Sequence, residues 1–349
     1  MLAIVCHGKK DLRVEPLQER APQADEVRVQ VAYGGICGSD MHYYHRGAVG
    51  DFAIREPMVL GHEISGTVIE TGSAVTHLRI GSKAALNPSK ACLQCAYCRE
   101  GRSNLCNNMY FLGSAGRFPH VQGGFSQHLI LRQDQIIPVD DNTDLLKLSL
   151  AEPLSVGLHA VKRAGNLLGK KVIVTGSGPI GLLTAKSALM AGASEVVCTD
   201  IEDFPLQLAR ERFGVHRTHN VAKEAPLAEI YSANGGYFDV ALEASGSRDA
   251  LVSLFSCVRR GARIIQLGML PPGQAALPVN ILQTREIELA GSFRAHDEFG
   301  LAVEMIIGNA IDVTPVMSGL YDLKQASAAF ELAGDRSQVV KLHLAIAPQ

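Results

Sequence analysis

The sequence predicts an α/β chain of two domains, one β-rich and one built on a doubly wound parallel sheet. Three observations predict it. Apolar strands alternate with helix-like stretches from about residue 171 to 267; a glycine-rich turn joins the first of those strands to the first helix; and the first third of the chain is short β segments broken by glycine. With 349 residues, two cores of ordinary size are possible.

Taken in order, Glu26-Val-Arg-Val-Gln-Val31 alternates polar and apolar residues as a half-buried strand does, and Val59–Val68 and Ile80–Leu86 read similarly. Gly61, Gly66, Gly72 and Gly81 punctuate them. Lys171-Val-Ile-Val-Thr175 is a largely apolar strand, Ile180–Met190 a helix and Glu195–Thr199 the next strand. Pro205–Arg212 reads as a helix, Phe238–Leu242 as a strand, and Arg248–Val258 with Ala262–Leu267 as a last helix–strand pair. Past residue 289 the alternation stops, and Asp322-x-x-Gln325 opens a helix with a capping box, ending near Gly334. The expected organisation is a catalytic domain of residues 1–148 and 289–349, interrupted by a nucleotide domain of 149–288.

A net charge of -2 and a pI near 6.6 give no reason to expect nucleic acid or an anionic membrane as partner. Leu2–Cys6 is too short for the apolar core of a signal peptide, and Val172–Ala185 too short and too rich in glycine for a membrane span. These features predict a cytoplasmic protein whose eight cysteines are thiols or metal thiolates.

Four of those cysteines form the run Cys92-x2-Cys95-x2-Cys98-x7-Cys106, within a lobe of about residues 88–110. Four thiolates at that spacing wrap one tetrahedral zinc, and a site closed by four sulfurs is structural because no coordination position is left open. Chemistry must come from elsewhere.

Gly176-Ser-Gly178-Pro179-Ile180-Gly181 sits between an apolar strand and a helix, the context a dinucleotide turn requires. Gly176 permits the tight turn, Gly178 the approach of a pyrophosphate, and Gly181 close helix–strand packing, with the diphosphate at the positive helix end. Asp200, at the end of the next strand, is placed to accept from ribose hydroxyls. Glu202 and Asp203 add negative charge, and no Arg or Lys occurs between Asp200 and Gln207, so the reading favours NAD over NADP.

Three more segments carry metal-type residues: Gly34-Gly-Ile-Cys37-Gly-Ser39-Asp40-Met-His42, Gly61-His62-Glu63 and Ala151-Glu152-Pro153. Together with the cysteine lobe and the glycine turn, in this order and over essentially the whole chain, they resemble the zinc-dependent medium-chain dehydrogenases of the alcohol and sorbitol dehydrogenase type. That resemblance implies a GroES-like catalytic domain joined to a Rossmann domain. It also implies two zinc ions per subunit, NAD as cofactor, and a homodimer or homotetramer. It implies that Cys37, His62 and a glutamate (Glu63, Glu152, or each at different stages) bind a catalytic zinc. Three protein ligands leave a position for water or substrate. Ser39 resembles the family's proton-relay hydroxyl and His42 the residue that passes the proton toward solvent; Asp40 reads as a supporting carboxylate.

Within the family, the loop Phe111–Phe125 and Gly291-Ser-Phe-Arg294 look most like members that oxidise the sugar acid L-idonate to its 5-keto form. Arg294 matches an arginine that bonds polyol oxygens, and a guanidinium there suits a carboxylate as well. Glu152 is a further candidate substrate contact; Tyr43 and Phe118 either line the pocket or fill core; Arg55, Arg117 and His120 are lesser candidates for the acid end. The alternative is a neutral-polyol dehydrogenase acting on sorbitol, xylitol or galactitol. A different class, a zinc-ribbon-type binding module, is disfavoured by the neutral charge and the dinucleotide turn.

Overall fold

In a computed structural model of the chain, residues 1–347 are described, and they divide into two units. One comprises Met1–Glu152, Phe299–Asp335 and the chain from Lys341 onward; the other comprises Pro153–Glu298 and Arg336–Val340.

The first unit is organised by a seven-stranded sheet. Its order is Ile136–Val139, Lys83–Leu86, Glu63–Thr71, Glu26–Gly35, Lys341–Ala345 and Met317–Asp322, with His128–Arg132 also pairing on Glu26–Gly35. All pairings are antiparallel except that of Met317–Asp322 with Lys341–Ala345. The alternating Val27, Val29 and Val31 are fully buried, as the period-two pattern requires. The expected helix past Asp322 is present as a 3-10 turn, Leu323–Gln325, running into Ala326–Leu332. Its box is formed: Lys324 N–H donates to Asp322 and Asp322 N–H to Gln325.

The second unit is a six-stranded parallel sheet in the order Arg217–Asn220, Glu195–Asp200, Lys171–Thr175, Phe238–Glu243, Val258–Gln266, Glu288–Gly291. This is the doubly wound 3-2-1-4-5-6 order, with Lys171–Thr175 at the topological switch point. Val172, Ile173 and Val174 are fully buried, because a strand covered by helices on both faces needs apolar residues throughout. The boundary expected at residue 289 falls inside Glu288–Gly291. That strand pairs in parallel with Val258–Gln266 and so goes with the second unit. Among the described residues, no helix is long and apolar enough to cross a membrane.

Candidate active site

Two neighbouring strands of the first unit bring three donor residues together. Glu26–Gly35 pairs with Glu63–Thr71 so that Gly35 stands opposite Glu63. A Cβ at residue 35 would lie 2.3 Å from Glu63 Oε2, so glycine here leaves that carboxylate its place. Two residues on, Cys37 caps the helix Gly38–Arg46, while His62 precedes Glu63. Donor atoms of Cys37, His62 and Glu63 all lie within 4.8 Å of one another, a span that one cation with bonds of about 2.0–2.3 Å can bridge.

The surroundings of this cluster argue for a cation. Asp40, fully buried, ties its two halves: it accepts from Cys37 N–H at 3.0 Å and from Gly61 N–H at 3.1 Å. Burial is the main force raising the Asp40 carboxyl above its usual range. Burial also opposes a charged His62, yet the Cys37 and Asp40 charges outweigh it and push the imidazole up to about 10. His62 Nδ1 is buried and has no hydrogen-bond partner among the described residues; Asp40 Oδ1 stands 3.9 Å away. A thiolate, a carboxylate and an imidazole clustered in a negative field are what a divalent cation relieves, so the residues fit a metal.

Glu63 is itself shared. Lys341 Nζ lies 2.8 and 2.6 Å from its two oxygens and 3.1 Å from the Ile36 carbonyl, all buried. Burial works to lower Lys341, but Glu63 and Cys37 outweigh it and raise it. Glu152 is buried in the first turn of the helix Ala151–Ala164. It lies outside the 4.8 Å cluster, and its charge contributes to raising both His62 and Lys341.

In the cysteine lobe, Cys92, Cys95, Cys98 and Cys106 present sulfurs within 4.8 Å of one another. Cys95 and Cys98 sulfurs are 3.5 Å apart, well beyond the roughly 2.05 Å of a disulfide. Strands Ser89–Lys90 and Tyr110–Phe111 pair to close the base of the lobe. Backbone N–H groups of Gln94 and Cys95 lower the Cys92 thiol to about 6, whereas desolvation and the adjoining Cys95 and Cys106 sulfurs raise Cys98. Desolvation first, and the crowding of sulfurs second, disfavour the Cys98 thiolate, a penalty that a bound dication removes.

In the second unit, Gly176 has φ +83°, and a Cβ on Gly181 would lie 1.8 Å from the Gly176 carbonyl oxygen. Pro179 opens the helix Pro179–Met190 and Ile180 follows it. A Cβ on Gly178 would find its nearest neighbour at 3.8 Å, leaving the helix N-terminus open as a phosphate cradle. Asp200 ends its strand, buried, accepting from Ser177 N–H at 2.7 Å.

The proposed substrate residues divide. Tyr43 is 2% exposed and its hydroxyl accepts from Ala115 N–H at 2.9 Å, so it braces the loop from within the core. Phe118 is 60% exposed, under the Arg55 guanidinium at 4.7 Å. His120 is a buried brace: its Nε2 accepts from Arg55 N–H at 2.8 Å and its Nδ1 faces the Arg117 carbonyl at 2.8 Å, which removes it from the carboxylate candidates. Arg117 stacks on Tyr110 at 4.2 Å. Arg294 lies over Phe293 at 4.8 Å and has φ +56°, a left-handed conformation that non-glycine residues adopt at a cost.

Residues 23–141 match the alcohol dehydrogenase GroES-like domain and residues 179–308 the zinc-binding dehydrogenases. An enzyme of Escherichia coli (strain K12) named L-idonate 5-dehydrogenase (NAD(P)(+)) is 40% identical over 316 residues, 90% of this chain and 90% of that enzyme. The chain belongs to the zinc-dependent medium-chain dehydrogenases of the alcohol and sorbitol dehydrogenase type. It is an oxidoreductase that uses zinc and a nicotinamide dinucleotide on a small-molecule substrate. A sorbitol dehydrogenase of Gallus gallus is 35% identical, covering 99% of this chain and 97% of that enzyme. The crystal structure of the L-idonate 5-dehydrogenase of Escherichia coli K-12 superposes with a TM-score of 0.94 at 38% identity, covering 99% of this chain and 97% of that one.

Lys341 escaped the sequence reading. In the alternation Lys-Leu-His-Leu-Ala it falls on the polar face with His343, which reads as outward, whereas both faces of this strand are buried. Arg336 and Lys223, which sit on Asp200 and Asp203, left no local signal at all.

Proposed function

We propose that this dehydrogenase oxidises a secondary hydroxyl of a sugar acid, L-idonate to 5-keto-D-gluconate, with hydride passing to NAD. The observation that carries this is the 40% identity to the L-idonate enzyme, against 35% and 33% to sorbitol dehydrogenases at similar coverage. The sorbitol dehydrogenase relatives favour a second reading, a neutral-polyol substrate.

In this proposal Cys37, His62 and a carboxylate, Glu63 or Glu152, hold the catalytic zinc, and Cys92, Cys95, Cys98 and Cys106 the structural one. When bound, a zinc with an open position acts as a Lewis acid on the substrate hydroxyl, as it lowers bound water from 15.7 to about 7, and the dinucleotide takes the hydride. Asp40 holds Cys37 and the Gly61–His62 turn in register, and Lys341 pins the Glu63 carboxylate. Ser39 and His42 stand three apart on the helix Gly38–Arg46, hence on one face, a path for the hydroxyl proton. Burial lowers His42, so it is neutral near pH 7 and able to accept that proton. Gly176, Gly178, Pro179, Ile180 and Gly181 cradle the diphosphate. Arg294 offers a two-pronged guanidinium to the sugar-acid carboxylate.

The same proposal places the enzyme in the cytoplasm, supported by eight unpaired cysteines suited to a reducing compartment. It also makes it a homodimer or homotetramer, supported by Glu288–Gly291 standing as a terminal strand of its sheet, an edge able to pair. The test is NADH production from L-idonate and from sorbitol on the zinc-loaded protein. A higher kcat/KM for L-idonate is expected, with Arg294→Ala raising its KM by roughly 10- to 100-fold and raising that of sorbitol, which offers only hydroxyl oxygens, by less. Preference for sorbitol would move the enzyme to the polyol reading.

A further inference from the structure

Asp200, Glu202 and Asp203 form an acidic run with no local cation, a surface that by itself repels phosphate. The fold of the second unit supplies cations from elsewhere in the chain. Lys223 Nζ pairs with Asp203, and with Asn220 it holds that carboxyl below its ordinary range. Arg336 Nη2 lies 3.1 Å from Asp200 Oδ2. Two of the three carboxylates therefore already carry a cation.

Asp200 is also close to saturated. Oδ2 accepts from Ser177 N–H and from Arg336, while Oδ1 accepts from Ile201 N–H at 2.8 Å and Glu202 N–H at 3.1 Å. Four donors fill the roughly four lone-pair sites of a carboxylate. Three are backbone groups fixed by the turn and the strand end. The fourth, Arg336, is 49% exposed and is the one able to leave. It also borders the phosphate cradle, since it is the group met at 3.8 Å by a Cβ built on Gly178.

We propose that Arg336 reads the 2′ position of the adenosine ribose and admits NADP beside NAD. The inference rests on the dinucleotide reading of Gly176–Asp200. A free 2′-hydroxyl displaces Arg336 from Asp200 and takes its place on the carboxylate. A 2′-phosphate draws the guanidinium off Asp200 into a two-pronged pair with its own oxygens, while Lys223 keeps Asp203 from opposing the added charge.

The test is equilibrium titration of NADH and of NADPH, by nicotinamide fluorescence without substrate, on wild type, Arg336→Leu and Arg336→Lys. Wild type should bind both. Arg336→Leu should weaken NADPH by roughly 10- to 100-fold and leave NADH within about threefold, and Arg336→Lys should recover most of the loss. The three backbone donors on Asp200 remain in both variants, so folding is not at stake. Equal losses for both dinucleotides would assign Arg336 to the shared diphosphate and overturn the proposal, as would unchanged binding. Failure of wild type to bind either one would sink the nucleotide reading itself.

Discussion

The Cys37–His62–Glu63 cluster and the four-cysteine lobe are each spaced for a single cation, and they are built in opposite ways. The first takes mixed donors from two paired strands and a helix cap, buries His62 and Glu63, and surrounds them with Asp40 and Lys341. The second takes four identical donors from one loop whose helix Ala96–Arg99 buries no residue. The fold therefore preorganises the first site without its metal, whereas the lobe has little but its metal for a core.

The sharpest way to break this contrast is Cys37→Ala. It should remove several kcal/mol of transition-state stabilisation, a loss on the order of 10³-fold or more in kcat, with circular dichroism unchanged. Retained turnover would end the zinc mechanism. Replacing Cys95 and Cys98 with serine should instead lower soluble yield and melting temperature and remove one zinc per chain, while the soluble fraction keeps its kcat within a few-fold; an unchanged melting curve would mean the lobe holds no structural metal.

Lys341→Met sharpens the account of the first site, because it leaves the buried Glu63 unpaired. A cost of about 3–5 kcal/mol in urea unfolding is expected. Lys341 is raised in the folded protein, so the stability it lends is in full effect at neutral pH and fades only as pH climbs through its elevated value. A loss of under about 1 kcal/mol would show that the pair is not needed. The smallest effect is expected for His42→Ala, a fall in kcat on the order of 10²-fold or less with a shifted acid limb in its pH profile, since water can stand in for a solvent-side relay. An unshifted profile would remove His42 from the proton path.

The same contrast governs what the sequence made legible. The lobe is local, so its spacing alone announced it, as did the glycine turn and the Asp322–Gln325 box. The Cys37–His62–Glu63 grouping depends on strand register, and only the resemblance to a family joined those segments in advance. Long-range ion pairs were out of reach: Lys341 meets Glu63 across 278 positions and Arg336 meets Asp200 across 136. The strand Arg217–Asn220 also went unread, because Arg-Thr-His-Asn carries no apolar pattern and takes its shape from pairing with Glu195–Asp200.

The central claim, two metal sites with separate duties, is tested most directly by graded chelation of the zinc-loaded protein. Zinc release, initial rate and circular dichroism would be followed on one sample. The account predicts two equivalents of zinc leaving in two steps. One abolishes turnover with the fold intact and is reversed by added zinc; the other brings loss of structure or solubility. Turnover that survives the loss of both ions, or one release that removes activity and structure together, would contradict it.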